Sequence, residues 1–400
     1  MKILHITSQY PGKTGSGTYL KAMITEAHKN GYRQGLLGAV QEGLDYDNPI
    51  LEYLDMIHFN TTEIPFPIMG MSDKMPYRSS VYKDMSIEDI DRWENEFTRK
   101  FEDAVESFNP DVILSHHLWL GTSVVAKLSR DIPVYGICHG TDIRQFLKIN
   151  RLAERVAKEL HALEGVFALT VDQKTTIERL YNIPFEKIHL AGGGYDENIF
   201  YPPENKKISD RARLVYAGKL SHAKGLIPLL DAYENLQRIH PVDLTMAGSG
   251  QGEEKEEIYK RGNELGVKFT GALSQVELAD LFRESDIFVL PSYYEGLPLV
   301  TMEALACGLM VVTTDIPGLK SYMGEKLATS GLVSFVKLPR MMDVDTPLHD
   351  DYNQFVFNLK KTLDIQINNH HDGYNNVAPF KREVEKLSWK GVFERISNAF

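Results

Sequence analysis

Short β-branched, apolar runs alternate with stretches of helical period along almost the whole chain, and this rhythm limits what it can fold into. Lys2 to Thr7 reads as a buried strand, followed by the glycine-rich loop YPGKTGSG. Tyr19, Leu20, Met23, Ile24 and Ala27 then recur at helical spacing until Asn30-Gly31 closes the helix. The helix TRKFEDAVESF leads through Pro110 to the strand DVILSHH, and the strands PVYGICHG and GVFALT come later. Strands separated by helices predict a parallel sheet with helices on both faces.

A second series begins near Leu214, with strands in RLVYAGKL, DLTMAGSG, VKFTGAL, DIFVLPS and MVVTTD. Between the two series lies AGGGYDENIFYPPENKKISD, whose Gly, Pro and charge content predicts a linker. The expected architecture is α/β: two Rossmann-like domains facing across a cleft. The first comprises residues 1–195 with 386–400 and the second residues 196–385. The last segment, KLSWKGVFERISNAF, is helical; it either ends the second domain or crosses back to the first, and the boundaries adopt the crossing. Residues 41–100 break the rhythm. IPFPIMGMSDKMPYRSSVYKDMS has three prolines and little periodicity, so it reads as a functional or mobile loop or a disordered surface insertion, and the role of residues 60–85 is left open.

Composition narrows the class. The 400 residues predict two or three domains, and 43% apolar with 25% charged residues excludes a disordered, collagen-like or coiled-coil chain. A net charge of -11 argues against nucleic acid or anionic lipid attracted through the overall field. Cys138 and Cys307 lie far apart in apolar stretches, which fits free thiols in a reducing compartment. MKILHITSQY lacks the apolar core and cleavage site of a signal peptide, and no apolar run approaches the ~20 residues of a membrane span. A cytoplasmic location is expected.

In open α/β sheets, ligands bind beyond the carboxyl ends of the strands, so the residues after each strand are the candidates. Gly15 and Gly17 open the first helix, where backbone N–H groups can cradle phosphate; a plain tight turn is the alternative. His139 ends a strand beside Thr141, Asp142 and Arg144, as a ligand contact or as a structural histidine. His116 and His117 lack a third ligand at recognisable spacing, so no zinc site is expected. Lys219 and Lys224 follow the first strand of the second half and suit a diphosphate, unless both are simply solvated.

SYYEGLPLVTMEALACG is the sharpest signal. Pro298 suits a helix start, leaving the N–H groups of Leu299 and Val300 free to meet an anion. Glu303 falls among apolar neighbours, where a carboxylate needs a partner: ribose hydroxyls, or an internal lysine or arginine.

Together these segments resemble the retaining nucleotide-sugar glycosyltransferases of family 4, the glycosyl transferases group 1, which have the GT-B fold. Glu295 and Glu303 in EGLPLVTMEALACG are similar to the family's E-x7-E signature. TGSGTY, ICHGTD, GGGYDENIFYP, YAGKLSHAKG, MAGSG and VKFTGAL resemble its other elements in the same order. The likeness covers most of the chain outside about residues 41–100 and 340–385. Lys219 stands where the family usually has Arg, keeping the charge without the bidentate fork, and Thr14-Gly15 replaces a glycine pair.

The resemblance implies roles. Gly15 would contact the donor diphosphate, and Lys219 and Lys224 would neutralise it. Leu299 and Val300 would donate backbone hydrogen bonds to it, and Glu303 would bind ribose. The segment ending at Leu273 would frame the base. Glu295 would hold donor-sugar hydroxyls, and His139 would contact the transferred sugar. Retention is likewise implied only by the resemblance.

The departing β-phosphate oxygen gathers negative charge, which lysines and helix amides can stabilise. Asp89-Ile90-Asp91 and Asp343-Val344-Asp345 have D-x-D spacing but read as solvated surface, so no metal requirement and no cofactor are expected. The donor is expected to be a UDP-sugar, with a GDP-sugar possible. The acceptor is a small molecule, a glycan or a lipid-linked hydroxyl. Tyr77, Arg78, Asp142 and Arg144 are the candidate acceptor contacts. The amphipathic LKINRLAERVAKELHALEG carries three glutamates among its bases, so membrane association is weak or absent. A GT-B sugar-nucleotide epimerase and a non-catalytic nucleotide-sugar binding protein remain as alternatives. Oligomeric state is left open.

Overall fold

The computed structural model describes every residue except 13, 74, 130, 205–208, 344 and 374–376. Part of the glycine loop (Lys13), part of the expected linker (205–208) and the middle of one D-x-D triplet (Val344) therefore lie outside the described residues. The chain divides into two compact units: Met1–Gly192 with Val392–Phe400, and Gly193–Gly391.

The strands of the first unit are β1 (Lys2–Thr7), β2 (Arg33–Val40), β3 (Tyr53–His58), β4 (Met69–Gly70), β5 (Ser80–Val81), β6 (Val112–His116), β7 (Val134–Ile137), β8 (Gly165–Ala168) and β9 (Ile188–Leu190). Seven of them form one sheet in the order β3-β2-β1-β6-β7-β8-β9, and β4 pairs only with β5. Every pairing is parallel. Central strands such as β6 are buried throughout, which is why they read as unbroken apolar runs.

The second unit holds β10 (Ala212–Ala217), β11 (Val242–Ala247), β12 (Lys268–Gly271), β13 (Ile287–Leu290), β14 (Met310–Thr314) and β15 (Val333–Val336), all parallel, in the order β12-β11-β10-β13-β14-β15. In both sheets the order reverses beside the first strand, between β1 and β6 and between β10 and β13. Loops leaving neighbouring strands diverge at such a point and leave room for a ligand.

Residues 41–100 depart from expectation. The stretch contains β3, and the helix Ile87–Phe108 begins within it at Ser86, whose hydroxyl accepts from Asp89 N. Ile90, Trp93, Phe97, Phe101, Ala104 and Phe108 form that helix's buried stripe. The prolines and irregular spacing of residues 59–85 do not signal disorder. Phe59, Ile64, Ile68, Met69, Met71, Tyr82 and Met85 are buried. Side chains replace the missing ladder: Gln41 accepts from Ile68 N and donates to the Arg78 carbonyl, and Gln145 donates to the Met71 carbonyl.

The stripe Leu152, Ala153, Val156 and Leu160 of the helix Asn150–Leu160 is likewise buried in the protein. No helix among the described residues is long and apolar enough to cross a membrane. In the linker segment, Tyr195 bridges to Ser388, and Tyr195 and Phe200 join the second unit's core. The helix Trp389–Ser397 starts in the second unit and belongs to the first from Val392 onward. There Arg395 donates to the Ala191 carbonyl, Tyr135 donates to the Ala399 carbonyl, and Phe393 meets Tyr32 edge-on.

Candidate functional site

In the first unit, Thr14 caps the helix Gly15–Lys29, and its hydroxyl accepts from Gly17 N at 3.0 Å. The Gly17 amide is thus engaged by its own cap, which corrects its expected part in cradling phosphate. Gly17 is required for a steric reason, since a Cβ there would lie 2.6 Å from the Pro11 carbonyl oxygen. Gly15 is exposed, with nothing near its Cβ position.

Beyond β1, β6 and β7 stands a cluster of imidazoles. His139 Nε2 lies 3.2 Å from His116 Nδ1, and the two rings stack. The His117 ring lies 4.7 Å from that of His139, and Tyr19 meets His139 edge-on. His117 has a left-handed backbone (φ 72°), a strained choice for a non-glycine residue. Burial, reinforced by the neighbouring rings, pushes His139 and His116 well below the ordinary imidazole range; burial alone lowers His117 and takes His5 to about 4. The cluster is therefore held neutral, with His116 and His139 sharing one hydrogen bond.

Asp142 does not face a ligand. It is fully buried, and its carboxylate accepts from the N–H groups of Leu118, His139 and Ile143 and from the Cys138 thiol. The sequence reading placed it with the acceptor contacts; here it ties the loop after β6 to the strand end carrying His139. Arg78 and Arg144 are exposed, and Tyr77 packs edge-on against Tyr10. Asp89 bonds Ser86 and Asp91 pairs with Arg155. No group of three or more His, Cys, Asp or Glu side chains suited to a metal ion occurs among the described residues.

In the second unit the loops after β10, β11 and β13 interlock through glycine. A Cβ on Gly248 would lie 1.8 Å from the Gly218 carbonyl oxygen, and one on Gly225 would lie 2.1 Å from that of Pro291. The buried Tyr216 hydroxyl donates to the Lys219 carbonyl at 2.7 Å, fixing the loop that carries both lysines. Sequence reasoning missed Tyr216, Gly248 and Ser292; only the glycine pair in MAGSG hinted at this close approach.

Lys224 Nζ and Ser292 Oγ both donate to Glu295 Oε1, at 2.6 and 2.9 Å. The expected diphosphate cation and the expected sugar-binding carboxylate are therefore paired to each other. Lys219 is exposed, and its ammonium makes no hydrogen bond or ion pair among the described residues. The helix Leu299–Ala306 follows Pro298, and no side chain caps its start. The amides of Leu299 and Val300, which lie in its first turn, have no helical partner. Glu303, one turn further on, is pushed up to about 7 by burial, and its carboxylate has no hydrogen bond or ion pair among the described residues. The internal lysine or arginine weighed as its partner is not found there. Leu273 packs against the second unit's core beside β12.

Two doubly wound parallel-sheet units, each reversing its strand order beside its first strand, define a two-domain α/β protein of the Rossmann-like class. Chain comparisons agree. Residues 14–198 match the model of Glycosyltransferase Family 4, and residues 198–339 match that of Glycosyl transferases group 1. The two models adjoin at residue 198, and the chain is a glycosyltransferase. An uncharacterised glycosyltransferase of Methanocaldococcus jannaschii is 23% identical across all of this chain and 98% of its own length. Glycogen synthase of Mycobacterium tuberculosis is 28% identical over 53% of this chain, and the match spans about half (54%) of that relative. Among solved structures, Anabaena Alr3699/HepE in complex with UDP superposes with a TM-score of 0.65 at 16% identity, over 100% of this chain and 99% of that one, which establishes the GT-B fold.

Proposed function

We propose that the protein transfers a hexosyl unit from a UDP-sugar to an acceptor hydroxyl, with retention of configuration and without a metal ion. Glu303 carries this reading: a carboxylate raised by burial and without a partner among the described residues, one turn beyond two open helix amides, suits ribose hydroxyls beside a diphosphate. The UDP bound in the HepE structure supports the choice of base, with GDP second.

As the sugar C1–O bond breaks, charge builds on the departing β-phosphate oxygen. Lys219, Lys224 and the Leu299 and Val300 amides would stabilise it, each such donor being worth about 10²–10³ in rate. Glu295 would hold donor-sugar hydroxyls, and His139 would meet the transferred sugar. The acceptor hydroxyl attacks C1 on the face the diphosphate leaves, and its proton passes to the departing phosphate oxygen. Exposed Arg78 and Arg144 suit an anionic acceptor.

The test is a donor panel in which nucleoside diphosphate release is followed with and without acceptor extracts, in EDTA and in its absence. Acceptor-dependent UDP release that persists in EDTA and disappears in Glu295→Ala is expected. Turnover abolished by EDTA refutes the metal-free route. UDP release with no glycosylated acceptor refutes transfer and favours an epimerase or hydrolase.

A further inference from the structure

His116 makes no contact that the proposed reaction needs, yet it is the hydrogen-bond partner of the histidine that does. Its Nδ1 lies 3.2 Å from His139 Nε2, with the rings stacked within 9°. Among the described residues its Nε2 is buried and has no partner. The groups around the pair are His5, His117 and Tyr19, together with Asp142, which holds the His139 main chain. Four imidazoles this close disfavour a charge on His116 or His139, and burial acts in the same direction.

One proton therefore sits between two neutral rings, and it belongs to one of them. If His139 were the donor, His116 would carry its proton on Nε2, a buried N–H with nothing to receive it. If His116 is the donor, its Nε2 is a bare lone pair, which is the cheaper atom to leave unpaired. We propose that His116 is a positioning residue that sets the tautomer of His139: His116 Nδ1–H donates to His139 Nε2, and His139 is left with Nδ1–H as its free donor for a sugar hydroxyl. His139 Nδ1 makes no hydrogen bond among the described residues, so this N–H is not otherwise used. The tautomer follows from the structure alone, whereas the sugar contact rests on the function proposed above.

The experiment is 15N NMR of histidine side chains in the full chain without ligand, with signals assigned through single His variants. His139 protonated at Nδ1 and bare at Nε2 is expected; a proton on His139 Nε2 overturns the proposal whatever the enzyme transfers. Kinetics then test the consequence. His116→Asn places an amide N–H near the position of Nδ1, so it is expected to keep the Nδ1–H form of His139 and kcat within about threefold. His116→Leu, checked for an intact fold by its melting curve, removes the donor; kcat falls ten- to hundredfold while the donor KM moves less than twofold. Equal kcat for the Leu and Asn variants overturns the positioning role. If no glycosyl transfer is found with any donor, the proposed function fails while the NMR result still decides the tautomer.

Discussion

Lys224 Nζ and Glu295 Oε1 are 2.6 Å apart, with 22% and 18% of the two side chains exposed, so the cation expected to meet a diphosphate is already held by the carboxylate expected to meet a sugar. Buried Ser292 shares the same oxygen, and its own carbonyl accepts from the Thr314 hydroxyl, which fixes the carboxylate from behind. A diphosphate has to share Lys224 with Glu295 or draw it away.

That competition predicts a split. Glu295→Gln removes a negative charge beside the proposed diphosphate site and frees Lys224. Titration calorimetry with UDP is expected to show unchanged or tighter binding, while turnover with the sugar nucleotide falls about 10²–10³-fold. Lys224→Ala is expected to weaken UDP about tenfold or more, in line with losing a charged hydrogen bond. Weaker UDP binding in both variants would mean the pair acts as one unit.

Glu303 predicts a pH effect of defined sign. Its carboxyl titrates near 7 in the folded chain against 4.5 ordinarily. Between those values the folded state holds a proton that the unfolded state releases, so stability declines as pH rises through the window. The penalty is complete above pH 7 and is at most about 3–4 kcal/mol, at about 1.4 kcal/mol per pH unit. Glu303→Gln should melt higher than the parent at pH 8 and the same at pH 4.5, while binding UDP more weakly. An equal advantage at both pH values would rule out titration as the cause.

Asp142 is expected to behave as a structural residue. Asp142→Ala leaves the Leu118 and His139 amides without an acceptor, at about 1–3 kcal/mol for each buried group. A melting temperature lowered by several degrees without acceptor is the predicted result. An intact melting curve with a raised acceptor KM would restore the ligand contact.

The two glycines of the first loop should part company. Gly17→Ala forces a methyl against the Pro11 carbonyl and is expected to destabilise the chain by about 1–3 kcal/mol. Gly15→Ala meets no atom and should melt at the same temperature or slightly higher. Any rise in its donor KM then reports a phosphate close to that backbone.

The sheet centres were legible because strands buried on both faces are written as apolar runs: KILHIT occupies β1 and IFVL occupies β13. Edge and near-edge strands were harder. RQGLLGAV of β2 carries two glycines that pack beneath Phe108 and Met56, and YLDMIH of β3 is only partly buried, so neither shows a clean period. Residues 59–85 were opaque for another reason: Gln41 and Gln145 hold them from distant parts of the sequence. In the candidate site, the spacing of Glu295 and Glu303 singled out the loop after β13 and the helix Leu299–Ala306. The Lys224–Glu295 pair and the pairing of His116 with His139 depend on tertiary distance, which a single sequence does not record.

The helix Trp389–Ser397 bears on how the molecule is made. Val392–Phe400 belong to the unit that also contains the first strand, so that unit cannot complete itself while its closing piece is still inside the ribosome. The amino-terminal body must wait, nearly finished, through the synthesis of about two hundred further residues, while the second body can fold as soon as it emerges. Birth order and order of completion are therefore reversed in this chain.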